Sequence, residues 1–122
     1  MFAYHPVNLA FRFLLEVGAM ILIGVGASTL GSGASGAVLG IGFVSVAALT
    51  WGVFNVPGDE SRSGKAPVPV RGYVRLAIEV AVFAWAVILG SFAWPVVAFA
   101  FGAAVTVHYL VSLDRVRWLL ER

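Results

Sequence analysis

"RFLLEVGAMILIG", residues 12–24, decides how this chain is read. It is an apolar run interrupted by a single carboxylate, Glu16, one helical turn after an arginine, Arg12. The pattern returns in "RLAIEVAVFAWAVILG", residues 75–90, where Arg75 and Glu79 stand in the same relation. A helix needs about 20 predominantly apolar residues to cross a hydrocarbon core of roughly 30 Å. Extended in both directions, the first run meets that length over about 7–28. Three others meet it, over about 34–55, 72–91 and 94–113.

Composition agrees with four spans. Of 122 residues, 61% are hydrophobic and 11% charged, with a mean hydropathy of +0.97. Soluble domains carry about 25% charged residues, and a small domain buries only about 60–70% of its surface. So much apolar surface has nowhere to go in water. Between Arg12 and Asp59 the only acid or base is Glu16, and between Glu79 and Asp114 it is His108. The expected fold is all-α, an integral membrane four-helix bundle forming a single transmembrane domain over 1–122. The chain has no cysteine, which excludes disulfides, thiolate metal sites and cysteine nucleophiles. Its net charge of +2 is not gathered on one face, so nucleic acid is not an expected partner.

The breaks between spans have their own chemistry. "STLGSGASG" (28–36) is a small, uncharged turn, and the central loop, 56–71 within "NVPGDESRSGKAPVPVRG", is rich in Pro, Gly and Ser. In "GSFAWP" (90–95), Pro95 suits the first position of a helix. The tail, 114–122 ("DRVRWLLER"), is amphipathic and expected at the interface with Trp118, Leu119 and Leu120 against lipid. All eight Lys and Arg fall near the N-terminus, in the central loop and its flanks, or in the tail. By the positive-inside rule both termini and the loop are cytoplasmic. A cleaved signal peptide ending near "VGA" (25–27) is the rival reading of the first span. The length of the run and Glu16 inside it argue against cleavage.

A shift of 63 residues lays Arg12 on Arg75, Glu16 on Glu79 and Val17 on Val80. The repeat is weak in sequence but implies two helical hairpins related by a pseudo-two-fold axis along the membrane normal. Residues four apart share a helix face, so each arginine can pair with its glutamate. The base precedes the acid, the less favourable order, so the pair alone contributes little. Ionisable groups deep in a span cost about 2.5–3.5 kcal/mol on insertion scales, so both glutamates are expected to face the bundle. The arginines snorkel outward while the glutamates hold helices in register, or Glu16 and Glu79 face each other as a proton or cation site, or the glutamates contact another subunit. Arg12, Glu16, Asn55, Arg75, Glu79 and His108 all fall in the cytoplasmic half and form the candidate intramembrane polar cluster. His108 has Ser112 as its partner at i+4, and as a lone histidine it reads first as a hydrogen-bonded core residue.

Small residues recur at helix-packing spacing in Gly36/Gly40, Ala77/Ala81 and Ala98/Gly102. They are read as intramolecular packing first and as a homodimer seam second. Trp51, Trp94, Trp118, Tyr4 and Tyr109 lie near span ends as interfacial belt residues, with Trp85 deeper. The loop stretch "GDESRSGK" (58–65) fails as a phosphate loop. Five residues separate its glycines where four are needed, Ala66 stands where Ser or Thr should hold magnesium, and Pro67 follows where a helix should begin.

"NLAFRFLLEV", "WGVFNVPGDESRSGKAPVPV" and "RLAIEVAVFAWA" together resemble the YrdB family of small bacterial membrane proteins. The likeness covers most of the chain. It departs at Glu60, where the family pattern favours proline, and around Arg71, which is more basic. The resemblance implies a four-span protein of the bacterial cytoplasmic (inner) membrane and implies no activity. It points to Arg12, Glu16, Trp51, Pro57, Gly58, Asp59, Ser63, Pro67, Arg75 and Glu79. In the loop, Asp59 is expected to cap a turn after Pro57–Gly58, with Pro67 and Pro69 leading in extended form into the third helix. A docking loop is the alternative.

The best functional expectation is transport of a small solute or ion through an oligomeric bundle. The alternative is a non-catalytic accessory or scaffold subunit of a larger membrane complex. Partners are therefore the bilayer and either further copies of the chain or a larger membrane protein. No metal or cofactor is expected, and no enzyme, because no nucleophile–base pair or histidine–carboxylate metal spacing is present.

Overall fold

The computed structural model describes residues 2–59 and 65–122. Of the loop positions singled out above, Ser63 lies outside the described residues, as do Glu60 and Arg62. The described chain is all-helical apart from one short strand pair. A single 3-10 turn, Phe2–Tyr4, leads into α1, Pro6–Ser28. Pro6 occupies the first helical position, where its missing N–H costs nothing, and His5 Nδ1 accepts from Val7 N at 3.2 Å. Helix α2, Ala34–Val53, starts at Gly33, whose φ of 55° is open to glycine without strain. Helix α3, Gly72–Ala93, and helix α4, Pro95–Val111, are separated by Trp94 alone, and Pro95 again takes the first helical position.

Helices α1, α2 and α3 are each long and apolar enough to cross a membrane. A fourth span requires α4 to be counted together with α5, Leu113–Leu120, which leaves the α4 axis at 71°. Helices α1 and α3 pack most extensively and form the centre, with α2 against α1 and α4 against α3. Their shared core is Leu15, Ala19, Leu22 and Ile23 against Val82, Phe83, Ala86 and Leu89. The outside is as apolar as the inside. Val96 is 79% exposed, Ile41 69% and Phe99 67%, a surface that water would not tolerate over so wide an area.

Glycines set how closely these helices approach. A Cβ on Gly26 would fall 2.0 Å from the Leu89 carbonyl oxygen, so α1 and α3 touch backbone to backbone there. Gly36 and Gly40 lie against Ser28 O and Gly24 O of α1, which makes that glycine pair an intramolecular seam. Ala98 is buried as well, whereas Ala77 and Ala81 are exposed on the outer face of α3.

The tail differs from the expectation in one respect. Leu119 is fully buried rather than turned to lipid, because α5 lies under the first turn of α3. A Cβ on Gly72 would fall 1.5 Å from the Leu119 carbonyl oxygen. Leu120 is 60% exposed, and Trp118 is half-buried with the Arg122 guanidinium 4.8 Å from its ring centre.

Strands β1, Phe54–Asn55, and β2, Val68–Pro69, pair in parallel at the end of α2, and Val70 N donates to Asn55 O at 3.0 Å. Between them Val56–Asp59 forms a turn closed by Asp59 N donating to Val56 O at 3.2 Å. Pro57 and Gly58, with φ of 82° at Gly58, fill the central positions as a type II turn requires. Both chain ends meet this loop at one end of the molecule. Ala3 N donates to Asp114 Oδ2 at 3.4 Å, and Arg115 pairs with Asp59.

Candidate functional site

Glu79 sits about 10 Å into α3 at the standard rise and is 0% exposed. Its Oε2 accepts from Arg75 Nε at 2.8 Å, Arg115 Nη2 at 2.8 Å and Arg12 Nη2 at 3.0 Å. Its Oε1 accepts from Tyr109 OH at 2.7 Å and Arg115 Nη1 at 2.9 Å. An ionised carboxylate offers about four lone-pair sites. Five donors therefore saturate it, and α1, α3, α4 and α5 all end on one side chain.

Each arginine also reaches something other than Glu79. Arg75 Nη1 donates to Trp51 O at 2.6 Å and Phe54 O at 2.9 Å, carbonyls at the end of α2. Those carbonyls lack intrahelical partners, and the partial negative charge of a helix C-terminus favours a cation there. Arg115 binds Asp59 through Nη2 at 2.6 Å and Nε at 3.3 Å. Arg12 Nε lies 3.2 Å from Glu16 Oε1, so Arg12 bridges the two glutamates. Glu79 has no lone pair left for the remaining guanidinium donors, and Arg12 Nη1 is buried without an acceptor among the described residues.

Trp51 supplies an aromatic wall, with Arg75 Cζ 4.6 Å and Arg12 Cζ 5.5 Å from its ring centre. Among the described residues, three guanidiniums (Arg12, Arg75, Arg115) meet three carboxylates (Glu16, Asp59, Glu79). A neutral set costs far less to bury than any one member alone.

A second, smaller network adjoins the first. Asn8 Nδ2 donates to Ser112 Oγ at 2.8 Å and to Ala3 O at 3.3 Å. Asn8 Oδ1 is thereby left as the acceptor for His108 Nδ1 at 3.2 Å, which assigns the proton of the ring to Nδ1. The start of α1 is in this way tied to the α4–α5 junction. Replacing Asn8 by Ala strands the polar groups of His108 and Ser112, at about 1–3 kcal/mol. Hydrogen exchange is expected to quicken in residues 113–120 and to stay slow in the middle of α1 and α3. Uniform quickening along the chain would show that Asn8 does not act locally.

The structure sorts the candidate residues. Arg12, Arg75 and Glu79 come together, and Glu16, 21% exposed, stands at the margin through Arg12. The arginines do not snorkel. Arg12 is 3% and Arg75 0% exposed, because Glu79 and the open end of α2 supply fixed acceptors inside. His108 is 2% exposed and belongs to the Asn8 network. Asn55 is buried, but its Nδ2 donates to Gly52 O at 2.7 Å and finishes α2. Pro57 and Gly58 form the turn that delivers Asp59, which is 1% exposed. Pro67 stands next to β2.

Three participants were not legible as such. Arg115 reads as a tail charge, Tyr109 as a belt residue, and Asn8 as a lone polar residue at the start of the first span; Trp51, a belt residue by position, is pointed to only by the family resemblance. The available signal was helical spacing, since Asn8 lies four residues before Arg12 and on the same face. Among the described residues no group of three His, Asp or Glu side chains is placed to hold a metal.

No solved structure matches the chain. The curated protein "Uncharacterized protein YrdB" of Bacillus subtilis (strain 168) is 38% identical over 120 residues, covering 97% of this chain and 97% of that protein. A family model described as "Protein of unknown function (DUF2568)" matches residues 10–107, which include Arg12, Glu16, Arg75 and Glu79. The chain belongs to this family.

Proposed function

We propose that the chain is a four-span protein of the bacterial inner membrane acting as a non-catalytic accessory or scaffold subunit of a larger membrane complex. Both termini and the central loop face the cytoplasm in this reading. It is supported by the confinement of Lys and Arg to those regions and by the meeting of both chain ends with the loop at one end of the molecule. The intended architecture is two helical hairpins about a pseudo-two-fold axis. Both Arg–Glu pairs form at i,i+4, at 3.2 Å and 2.8 Å, and among the described residues Glu79 also collects Arg12 and Arg115. The repeat therefore describes the framework rather than the site.

One observation carries the functional reading: Glu79 is saturated by five donors from four helices. A carboxylate that shuttles a proton or a cation has to exchange partners, and four of the five bonds to this one come from buried arginines that would each lose a charge-assisted bond. It acts as a keystone. The grooves lined by described residues at the helix seams are apolar, which suits packing against lipid or another membrane protein.

Transport of a small solute or ion through an oligomeric bundle remains the second reading. Glu16 favours it, as an acid within a span that keeps 21% exposure. Purification in mild detergent with native mass measurement separates the two. The accessory reading expects a second membrane polypeptide at fixed stoichiometry and no proton or potassium flux from the purified chain in proteoliposomes. A mass that is a simple multiple of this chain, with a flux lost in Glu16→Gln, would establish transport instead.

A further inference from the structure

Between α3 and α4, and closed at one end by α5, runs a groove of about 490 Å³. Leu76, Val80 and Ala84 form one wall, Val105 and Tyr109 the other, and Leu113 and Val116 of α5 its cytoplasmic end. Its upper limit is Val87 and Gly102. From Gly102 to Leu113 is about 16 Å at the standard helical rise. One leaflet of hydrocarbon is about 15 Å deep, half of a 30 Å core. The groove therefore matches one acyl chain of one leaflet. A partner helix crossing the bilayer would want a groove about twice as long.

At the level where such a chain meets its headgroup stands Arg117. On α5, Arg115 and Leu119 face inward, whereas Leu113, Arg117 and Leu120 share the outer face and are exposed. Spacing of four residues puts Arg117 directly beside Leu113, the last apolar residue of the groove. Of the nearby acids, Asp114 accepts from Ala3 N, and Glu121, the C-cap of α5, follows Arg117 by four residues but forms no ion pair with it among the described residues. An exposed guanidinium flanked by leucines fits a phosphodiester, with its stem on apolar surface and its head at the phosphate.

We propose that this groove and Arg117 together form a binding site for one anionic phospholipid of the cytoplasmic leaflet. The single cation matches the single negative charge of phosphatidylglycerol. In phosphatidylcholine the lipid's own ammonium already offsets the phosphate. This site does not depend on the accessory role proposed above, since it uses the lipid-facing surface and no protein partner.

The test is native mass spectrometry of the full chain in mild detergent, titrated with phosphatidylglycerol or phosphatidylcholine of identical acyl chains. One cation near an anionic headgroup favours retention by about fivefold. Phosphatidylglycerol is thus expected to be held about that much more tightly by the wild type. Arg117→Gln should bring the two lipids level. Ala84→Phe, at an exposed groove position, should weaken both while the thermal unfolding midpoint stays near that of wild type. Equal retention of both lipids by the wild type overturns the proposal, and so does retention indifferent to Ala84→Phe. A dimer mass that vanishes in Ala84→Phe would also overturn it, by assigning the groove to a second copy of the chain.

Discussion

Glu79→Ala is expected to be the most damaging single substitution in the chain, lowering the thermal unfolding midpoint in detergent on the order of 10 °C or more. The cause is not the lost packing of one side chain. Without Glu79, Arg12 keeps Glu16, Arg115 keeps Asp59, and Arg75 keeps the carbonyls of α2 and the face of Trp51. Among the described residues, three buried guanidiniums then face the two carboxylates of Glu16 and Asp59. Removing one partner of a buried ion pair costs about 3–5 kcal/mol, because the surviving charge is left uncompensated.

Two milder variants separate charge from shape. Glu79→Asp keeps the charge on a shorter stem and should recover part of the loss. Glu79→Gln keeps the shape but turns an amide donor toward arginine donors, so it should rescue little. If Glu79→Gln melts with the wild type, the keystone role of this carboxylate is wrong. The same set of variants bears on transport, because a carboxylate needed only for ion movement would lose flux in Glu79→Gln without losing stability.

Gly26→Ala is the second large effect, and it acts at the opposite end of the same helix pair. The added methyl carbon would meet Leu89 O at 2.0 Å and Leu89 C at 2.2 Å, both backbone atoms. No rotamer relieves a backbone clash, so α1 and α3 must part. Overpacking costs about 1–3 kcal/mol where side chains can yield, and here the upper end or beyond is expected. Gly42→Ala is the control. A Cβ there meets nothing within 4 Å, and exchanging a mid-helix glycine for alanine gains about 1 kcal/mol of helix propensity. Comparing unfolding midpoints should give a loss for the first and a small gain for the second. Equal shifts would mean that the α1–α3 contact is looser than its geometry.

The close contact and the cluster belong to one design. Because α1 and α3 touch at Gly26, their opposite halves are held near enough for Arg12 to reach across to Glu79 at 3.0 Å. Ala19, Ile23 and Ala86 between the two points are almost fully buried. Strain at Gly26 should therefore propagate to the Arg12–Glu79 pair, whereas loss of Glu79 leaves the Gly26 contact in place.

Much of the helical framework could be read without coordinates, for a local reason. A helix that spans lipid must be apolar around most of its circumference, and its ends must be marked by residues that water or the backbone demands. Pro6 and Pro95 at first helical positions and Gly33 before α2 are such marks, and the helix bounds in the structure lie at most two residues from those expected. The i,i+4 relation of Arg12 with Glu16 and Arg75 with Glu79 is likewise local, and both pairs form.

The sequence by itself therefore determined the helical elements, their apolar character and which acids and bases share a helix face. All of these follow from spacing along one strand of chain. Only the tertiary structure decided that Glu79, not Glu16, is the centre, and that Arg115, Tyr109, Trp51 and Asp59 surround it. Those partners lie 20 to 36 residues away along the chain. They meet because α5 breaks from α4 by 71° and the Pro57–Gly58 turn folds Asp59 inward. The physical reason is that a buried charge recruits whatever opposite charge the fold can bring to it, and no local pattern records the address.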